Sequence, residues 1–291
     1  MPEGDTVWRT AARLHEALAG AVLTTVDLRW PSLSTMRLAG ATTTQVLARG
    51  KHVLQRLDSG VSIHSHLRMD GQWRLEATPR VTARRLADSS LRAVLATAEW
   101  TALGLRLGRL DVVPTPDEHT LVGHLGPDLL GPDWDPDEAV RRLSASGVDI
   151  GSALLDQRNL AGIGTLFAAE SLYLERISPW TQVAHLDRPA LHALVARAQR
   201  LLGSNRPYAV QSTTGDRRRG RTTWVHGRSG RPCRRCGRAV RSAPIGVPPR
   251  QRAMCYCPGC QGGLAPTDDG RGRSVSSRRG GRDVAGVGRD R

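Results

Sequence analysis

VSIHSHLRMD, residues 61–70, alternates in side-chain character. Val61, Ile63, Ser65, Leu67 and Met69 fall on one side of an extended chain. Ser62, His64, His66, Arg68 and Asp70 fall on the other. This period of two predicts a β-strand with one buried face. Asp58-Ser59-Gly60 before it and Asp70-Gly71 after it are turn sequences. Residues 45–57 and 72–75 read as its neighbouring strands. Together they predict an antiparallel β-sandwich or barrel over residues 21–113.

Working outward, residues 5–19 carry Val7, Ala11, Leu14 and Leu18 at helical spacing, with Asp5 placed to cap the start. Pro114, Pro116, Pro127, Pro132 and Pro136 break the chain into a linker. Helical patterns return at 137–144, 151–158, 165–176 and 189–203. Residues 226–262 hold all five cysteines. Residues 263–291 are rich in Gly and Arg, with too little apolar surface to fold, and are predicted to be a disordered tail. The expected organisation is α+β: a β-sandwich domain at 1–125, a helical domain at 132–225, a cysteine unit at 226–262 and the tail.

The chain has 291 residues, 39% of them hydrophobic, enough for a sizeable core. No run of 18 apolar residues occurs, which excludes a helix built to span a bilayer. The first residues lack the basic-then-apolar pattern of a secretory leader, so a cytoplasmic location is expected. Basic residues number 42 against 27 acidic, a net charge of +15 that points to a polyanionic partner such as nucleic acid. A merely solvated basic surface is the plain alternative. Lys51 is the single lysine in this arginine-rich chain. Arg can replace Lys wherever only charge counts, but not where an ammonium must give up its proton. Lys51 is therefore a candidate for specific chemistry.

Cys233-Arg-Arg-Cys236 and Cys257-Pro-Gly-Cys260 are separated by 20 residues. Two such pairs fit a four-thiolate tetrahedral zinc site. Four protein ligands leave no open position, so the metal would be structural. Disulfides are the alternative, disfavoured in a cytosolic chain. Cys255 is out of register and reads as a small buried residue. Arg238, Arg241, Arg250 and Arg252 lie between the pairs and suit phosphate contact.

The chain opens MPEGDT. Removal of Met1 would leave Pro2 as a secondary amine that can attack an aldehydic carbon and form an iminium. Glu3 beside it could move protons. The positive end of the adjacent helix would help keep the amine neutral. The plain alternative is that Pro-Glu merely opens a helix, where both are favoured.

PEGDT, RGKH around Lys51, LLDQRNLAGIGT at 154–165 and the two CxxC pairs occur in that order. Together they resemble the formamidopyrimidine-DNA glycosylase/endonuclease VIII family. PEGDTVW, IHSHLRMDG, HLGPDLL, DWDP, TTGD and VHGR resemble its second actinobacterial endonuclease VIII type. The resemblance covers residues 2–262. It implies an N-terminal antiparallel β-sandwich with flanking helices that carries catalysis, a helix–two-turns–helix domain that binds DNA, and a C-terminal zinc-finger β-hairpin. It implies an enzyme of base excision repair acting on damaged DNA, duplex or single-stranded, with the damaged nucleotide flipped out; a monomer associated with the nucleoid is the default expectation.

Carried over by position, Pro2 matches the nucleophile, Glu3 the acid on the sugar oxygen, and Lys51 the lysine needed for base release. Arg252 matches an arginine gripping phosphate beside the lesion. Gly162, Gly164 and Thr165 match the hairpin that approaches a phosphate through backbone N–H groups. Met69 matches a methionine that fills the hole left by the flipped base; its phase with Val61, Ile63 and Leu67 equally suits a core position. Cys233, Cys236, Cys257 and Cys260 match the zinc ligands. His64 and His66 read as surface or hydrogen-bonded structural histidines.

Thr165 stands where the family usually has asparagine, Thr6 where many members have glutamate, and Cys255 where an aromatic is usual. The Arg/Phe void-filling pair of the 8-oxoguanine enzymes is missing from 101–113. The resulting expectation is a bifunctional glycosylase and abasic-site lyase that excises oxidised pyrimidines and nicks by β- and δ-elimination. Two rivals are a catalytically silent damaged-DNA-binding protein of the same fold and a zinc-ribbon DNA-binding protein with an unrelated N-terminal domain.

Overall fold

Helix α1 (Gly4–Leu18) buries Val7, Ala11, Leu14 and Leu18 against a β-sandwich in the computed structural model, which describes residues 2–271. Glu3, not Asp5, holds the capping position. Asp5 lies inside the first turn, fully buried, and accepts Gln211 Nε2 with both carboxylate oxygens, at 2.8 and 3.0 Å. Its carboxylate therefore ties the helix to a distant loop instead of satisfying its own backbone.

Eight strands follow: β1 (Thr25–Leu28), β2 (Thr43–Arg49), β3 (His52–Leu57), β4 (Val61–His66), β5 (Gln72–Ala77), β6 (Leu91–Ala96), β7 (Trp100–Leu105) and β8 (Arg109–Pro114). They form two antiparallel four-stranded sheets, ordered β2-β3-β4-β8 and β1-β6-β7-β5, a sandwich and not a barrel. Residues 45–57 are a hairpin turning at Gly50-Lys51, and its second arm is indeed paired with β4. Residues 72–75 are not neighbours of β4; β5 crosses to the other sheet. Nor is β4 buried on one face only. Ser62, Ile63, His64 and Ser65 are all buried, because polar partners wait on the second face. Short helices α2 (Ala83–Leu86) and α3 (His119–Val122) join these elements.

The second half packs α4 (Pro136–Ser144), α5 (Ile150–Leu155), α6 (Thr165–Leu174) and α7 (Arg188–Asn205) around Leu143, Leu154, Phe167, Leu172 and Leu194. Asp135, Asp149 and Asp187 cap α4, α5 and α7 through their side chains. The hairpin β9 (Arg241–Ile245) and β10 (Arg252–Tyr256) extends this core, with Val240, Ile245, Met254 and Cys257 buried in it.

Residues 263–271 depart from the expected disordered tail. Ala265 is buried, and Asp268 accepts Arg241 Nε at 2.5 Å, Arg241 Nη2 at 2.6 Å and Tyr256 Oη at 2.6 Å. A carboxylate that collects three donors outweighs the weak apolar content of the segment. Arg241 is thereby engaged within the chain, and is not free for the phosphate contact expected of it. The rest of the expected tail, 272–291, lies outside the described residues.

Candidate active site

Glu3 reaches out of α1 into the start of α6. Its buried carboxylate accepts Gly164 N–H at 2.7 Å and Leu166 N–H at 2.8 Å, with Phe167 N–H at 3.3 Å. A helix N-terminus is a natural seat for an anion. The sequence reading reserved these amides for a phosphate; one carboxylate takes three of them. The Gly4 amide donates to Gly162 O at 2.8 Å, which holds Pro2 and Glu3 over the 162–165 hairpin. Gly162 has φ +95, and a Cβ on Gly164 would stand 2.5 Å from Glu3 Cδ. Both glycines thus serve this docking. Thr165 begins α6 and is 8% exposed, so its hydroxyl is largely covered. Burial raises the Glu3 carboxyl above the ordinary range, while Lys51 and the three amides oppose that rise.

Lys51 sits in the β2–β3 turn. Its ammonium donates to Ile163 O, the carbonyl that also accepts Gln157 Nε2 at 2.9 Å. Gln157 Oε1 receives the Gly162 amide at 3.1 Å, so one side chain braces two successive backbone groups of the hairpin. Gly50 must adopt φ +57 to turn Lys51 inward, and its amide donates to Asp128 Oδ2 at 2.7 Å. Burial lowers the Lys51 ammonium to about 8, with Glu3 opposing and Arg252 adding to the shift. An amine near 8 can hold or release a proton close to neutral pH. Arg252 opens β10 and is exposed on a groove of about 840 Å³, shared with His124, Asp156, Arg158, Val247 and Arg250.

Residues 1–106 match the formamidopyrimidine-DNA glycosylase N-terminal domain, and residues 125–213 match the formamidopyrimidine-DNA glycosylase H2TH domain. A probable endonuclease 8 2 of Streptomyces coelicolor is 48% identical over 93% of this chain and 98% of its own. The chain belongs to the formamidopyrimidine-DNA glycosylase/endonuclease VIII family. The DNA-(apurinic or apyrimidinic site) lyase Nei2 of Mycolicibacterium smegmatis is 43% identical, covering 90% of this chain and 99% of that one. The Lactococcus lactis formamidopyrimidine-DNA glycosylase, solved bound to DNA containing an abasic site, superposes with a TM-score of 0.75. At 22% identity over 89% of this chain and 99% of that one, it shares the fold.

In this glycosylase-family frame, Pro2, Glu3, Lys51 and the 162–165 hairpin come together, with Arg252 across from Lys51. Met69 is separate. Arg68 takes φ +54, which ends the alternation, and Met69 stands 62% exposed on a tight loop closed by Gly71 N–H to Leu67 O at 2.9 Å. The core position suggested by its phase is therefore not the one it occupies. The four cysteines form a cluster of their own. Their sulfurs fall within 4.8 Å of one another, at 3.9 Å for Cys233–Cys260 and 3.4 Å for Cys236–Cys257. A disulfide requires about 2.05 Å; a tetrahedral metal–thiolate site needs sulfurs about 3.8 Å apart. The donor set fits a metal. Cys255 is buried outside the cluster.

The family motifs did not reveal Glu170. It is fully buried, and accepts Trp224 N–H at 2.8 Å, Val225 N–H at 2.8 Å, His226 N–H at 2.7 Å and the Thr213 hydroxyl. It pins the 213–226 loop to α6. The signal was present in the sequence: Glu170 is the lone charge in TLFAAESLYL, and a lone carboxylate on a helix with no polar face needs internal partners. Asp128, which holds the Gly50 and Leu130 amides, was likewise hidden inside HLGPDLL.

Among the described residues, no helix is long and apolar enough to cross a membrane.

Proposed function

We propose that this chain is a bifunctional DNA glycosylase and abasic-site lyase of base excision repair, excising oxidised pyrimidines. The observation that carries the reading is the seating of Glu3 on the α6 amides within the field of Lys51. With Met1 removed, Pro2 attacks C1′ of the damaged nucleoside. The C–N bond to the base breaks, and the base leaves with a proton supplied through Lys51. Glu3, raised by burial, protonates the sugar oxygen as the ring opens to the iminium. Loss of the C2′ proton expels the 3′ phosphate, and a second elimination expels the 5′ phosphate.

Arg252 grips the phosphate beside the lesion, the glycine hairpin with Thr165 lines the backbone path, and Met69 fills the vacated stack. The preference for oxidised pyrimidines rests on the resemblance to the endonuclease VIII branch. Cys233, Cys236, Cys257 and Cys260 would hold one zinc ion, which supplies no chemistry and braces the β9–β10 hairpin that carries Arg252.

Borohydride trapping tests the reading. The full chain is incubated with one strand carrying an abasic site and another carrying 5-hydroxyuracil. A reduced complex on both, mapped to Pro2 by mass spectrometry, is expected. Trapping on the abasic strand alone would remove the glycosylase half. No trapping, with DNA still bound, would favour a silent damage-binding protein.

A further inference from the structure

A chain of imidazoles runs through the sandwich wall beside Lys51, and the mechanism above does not use it. Asp111 Oδ2 on β8 lies 2.8 Å from His64 Nδ1, and the same oxygen accepts Arg109 Nε at 2.8 Å. His64 Nε2 lies 2.8 Å from His52 Nδ1. His52 meets His66 edge-on at 4.8 Å between ring centroids, and His124 at 6.4 Å. His64 is completely buried, while Asp111 keeps 29% of its side chain exposed.

These contacts fix where the protons sit. An ionised Asp111 has none to give, so His64 Nδ1 carries the hydrogen. His64 Nε2 is then bare and accepts, so the donor is His52 Nδ1. Neutral His52 is left with a bare Nε2 on the side away from His64. His66 is set independently: its Nδ1 accepts the Arg68 amide at 2.9 Å, so its hydrogen is on Nε2. The groups facing these rings are His64 and His66 on β4, Arg109 and Asp111 on β8, Glu118 and His124 on either side of α3, and Lys51 and Arg68 at the adjoining turns. Burial first, then the neighbouring imidazoles and cations, pushes His52 down to about 2 and His66 down to about 4. His52 and His66 are therefore neutral at pH 7, burial lowers His64 as well, and tautomer is the property left to control.

We infer that Asp111 and His64 are positioning residues for the proposed nicking reaction, which fix the tautomer of His52 and so the hydrogen-bonding character of the wall beside Lys51. The inference rests on the function proposed above. A bare Nε2 repels phosphate oxygens and leaves them to Lys51 and Arg252. A hydrogen on that nitrogen would make His52 a competing phosphate donor and draw the strand out of register. In Asp111→Leu, Arg109 is released to donate to His64 Nδ1. His64 then carries its hydrogen on Nε2 and donates to His52 Nδ1, and the His52 hydrogen moves to Nε2. Asp111→Asn still offers an oxygen to His64 Nδ1 and preserves the original arrangement.

Long-range proton–nitrogen spectra of the full chain with ¹⁵N-labelled histidine read each tautomer directly. Nδ1–H is expected for His52 and His64, and Nε2–H for His66. Asp111→Leu should reverse His52 and His64. It should slow single-turnover nicking of an abasic duplex about three- to tenfold, the value of one hydrogen bond, with binding of that duplex no weaker. Asp111→Asn should keep both tautomers and nick within about twofold of the parent. A parent spectrum with the His64 hydrogen on Nε2 overturns the inference without any variant. So does an Asp111→Leu chain that reverses the tautomers yet nicks at the parent rate per folded molecule. If the parent chain does not nick, the proposed function fails, and the parent spectrum still decides the proton positions.

Discussion

Gly164→Ala isolates the contact on which the proposed acid depends. Gly164 has φ −132 and ψ −163, an extended backbone that alanine adopts without strain. The new methyl would stand 2.5 Å from Glu3 Cδ and 2.6 Å from Oε1, where ordinary contact begins near 3.4 Å. The carboxyl must therefore retreat by about 0.9 Å. The shortest amide bond, from Gly164 at 2.7 Å, is the first lost. A charge-assisted bond contributes about 1.5–3 kcal/mol. Nicking of an abasic strand should fall about ten- to hundredfold. The change of capping residue alone costs under about 1 kcal/mol of helix stability. Single-turnover nicking, measured beside a denaturant melt, separates the two effects. An alanine variant that nicks within about threefold of the parent, a loss under about 0.7 kcal/mol, would mean that the seating of Glu3 on α6 is irrelevant to the reaction.

Lys51, lowered to about 8 by burial, should keep base release level below about pH 8 and let it fall above, because the proposed role uses its ammonium proton. An ordinary lysine would hold the rate level to about pH 10, and that profile would contradict the burial argument. Lys51→Arg should abolish that fall along with most of the rate. Glu170→Gln places an amide hydrogen pair among four donors; we expect a loss of about 2–4 kcal/mol in chemical denaturation, with protease cleavage rising first in 213–226. Zinc chelation, or Cys260→Ser, should release about one metal ion per chain and lower the melting temperature of the α4–α7 core, because Cys233 and Cys257 are buried in that core. Intact melting after complete metal loss would argue against a structural ion.

What was legible from the sequence was local. Spacing alone located the thiol cluster and placed α1, α6 and α7 to within two residues, since i, i+3, i+4 patterns and CxxC pairs depend only on near neighbours. What escaped was set by partners distant in sequence. Nothing local distinguishes an Asp5 that caps its helix from one that waits for Gln211, 206 residues on. The pattern of 72–75 reads as a strand, but not as one that leaves β4 for the opposite sheet. His64 read as either a surface or a hydrogen-bonded structural histidine; it is the second, and the choice was not local, because the Asp111 and His52 that satisfy it are on separate strands. The candidate set came through resemblance, as a list of residues. How Gln157, Asp128 and Gly50 aim Lys51 at the hairpin was not.

The docking of Glu3 has a consequence for biosynthesis. Its carboxylate is contributed by the start of the chain, yet the amides that hold it lie 161 to 164 positions later. While a ribosome has delivered only the sandwich, those amides do not yet exist, and Glu3 is an ordinary hydrated side chain. The proposed nucleophile and its acid are thus organised together only after α6 has emerged and docked. A truncated product of translation would carry the first residues of the site with no means of assembling it.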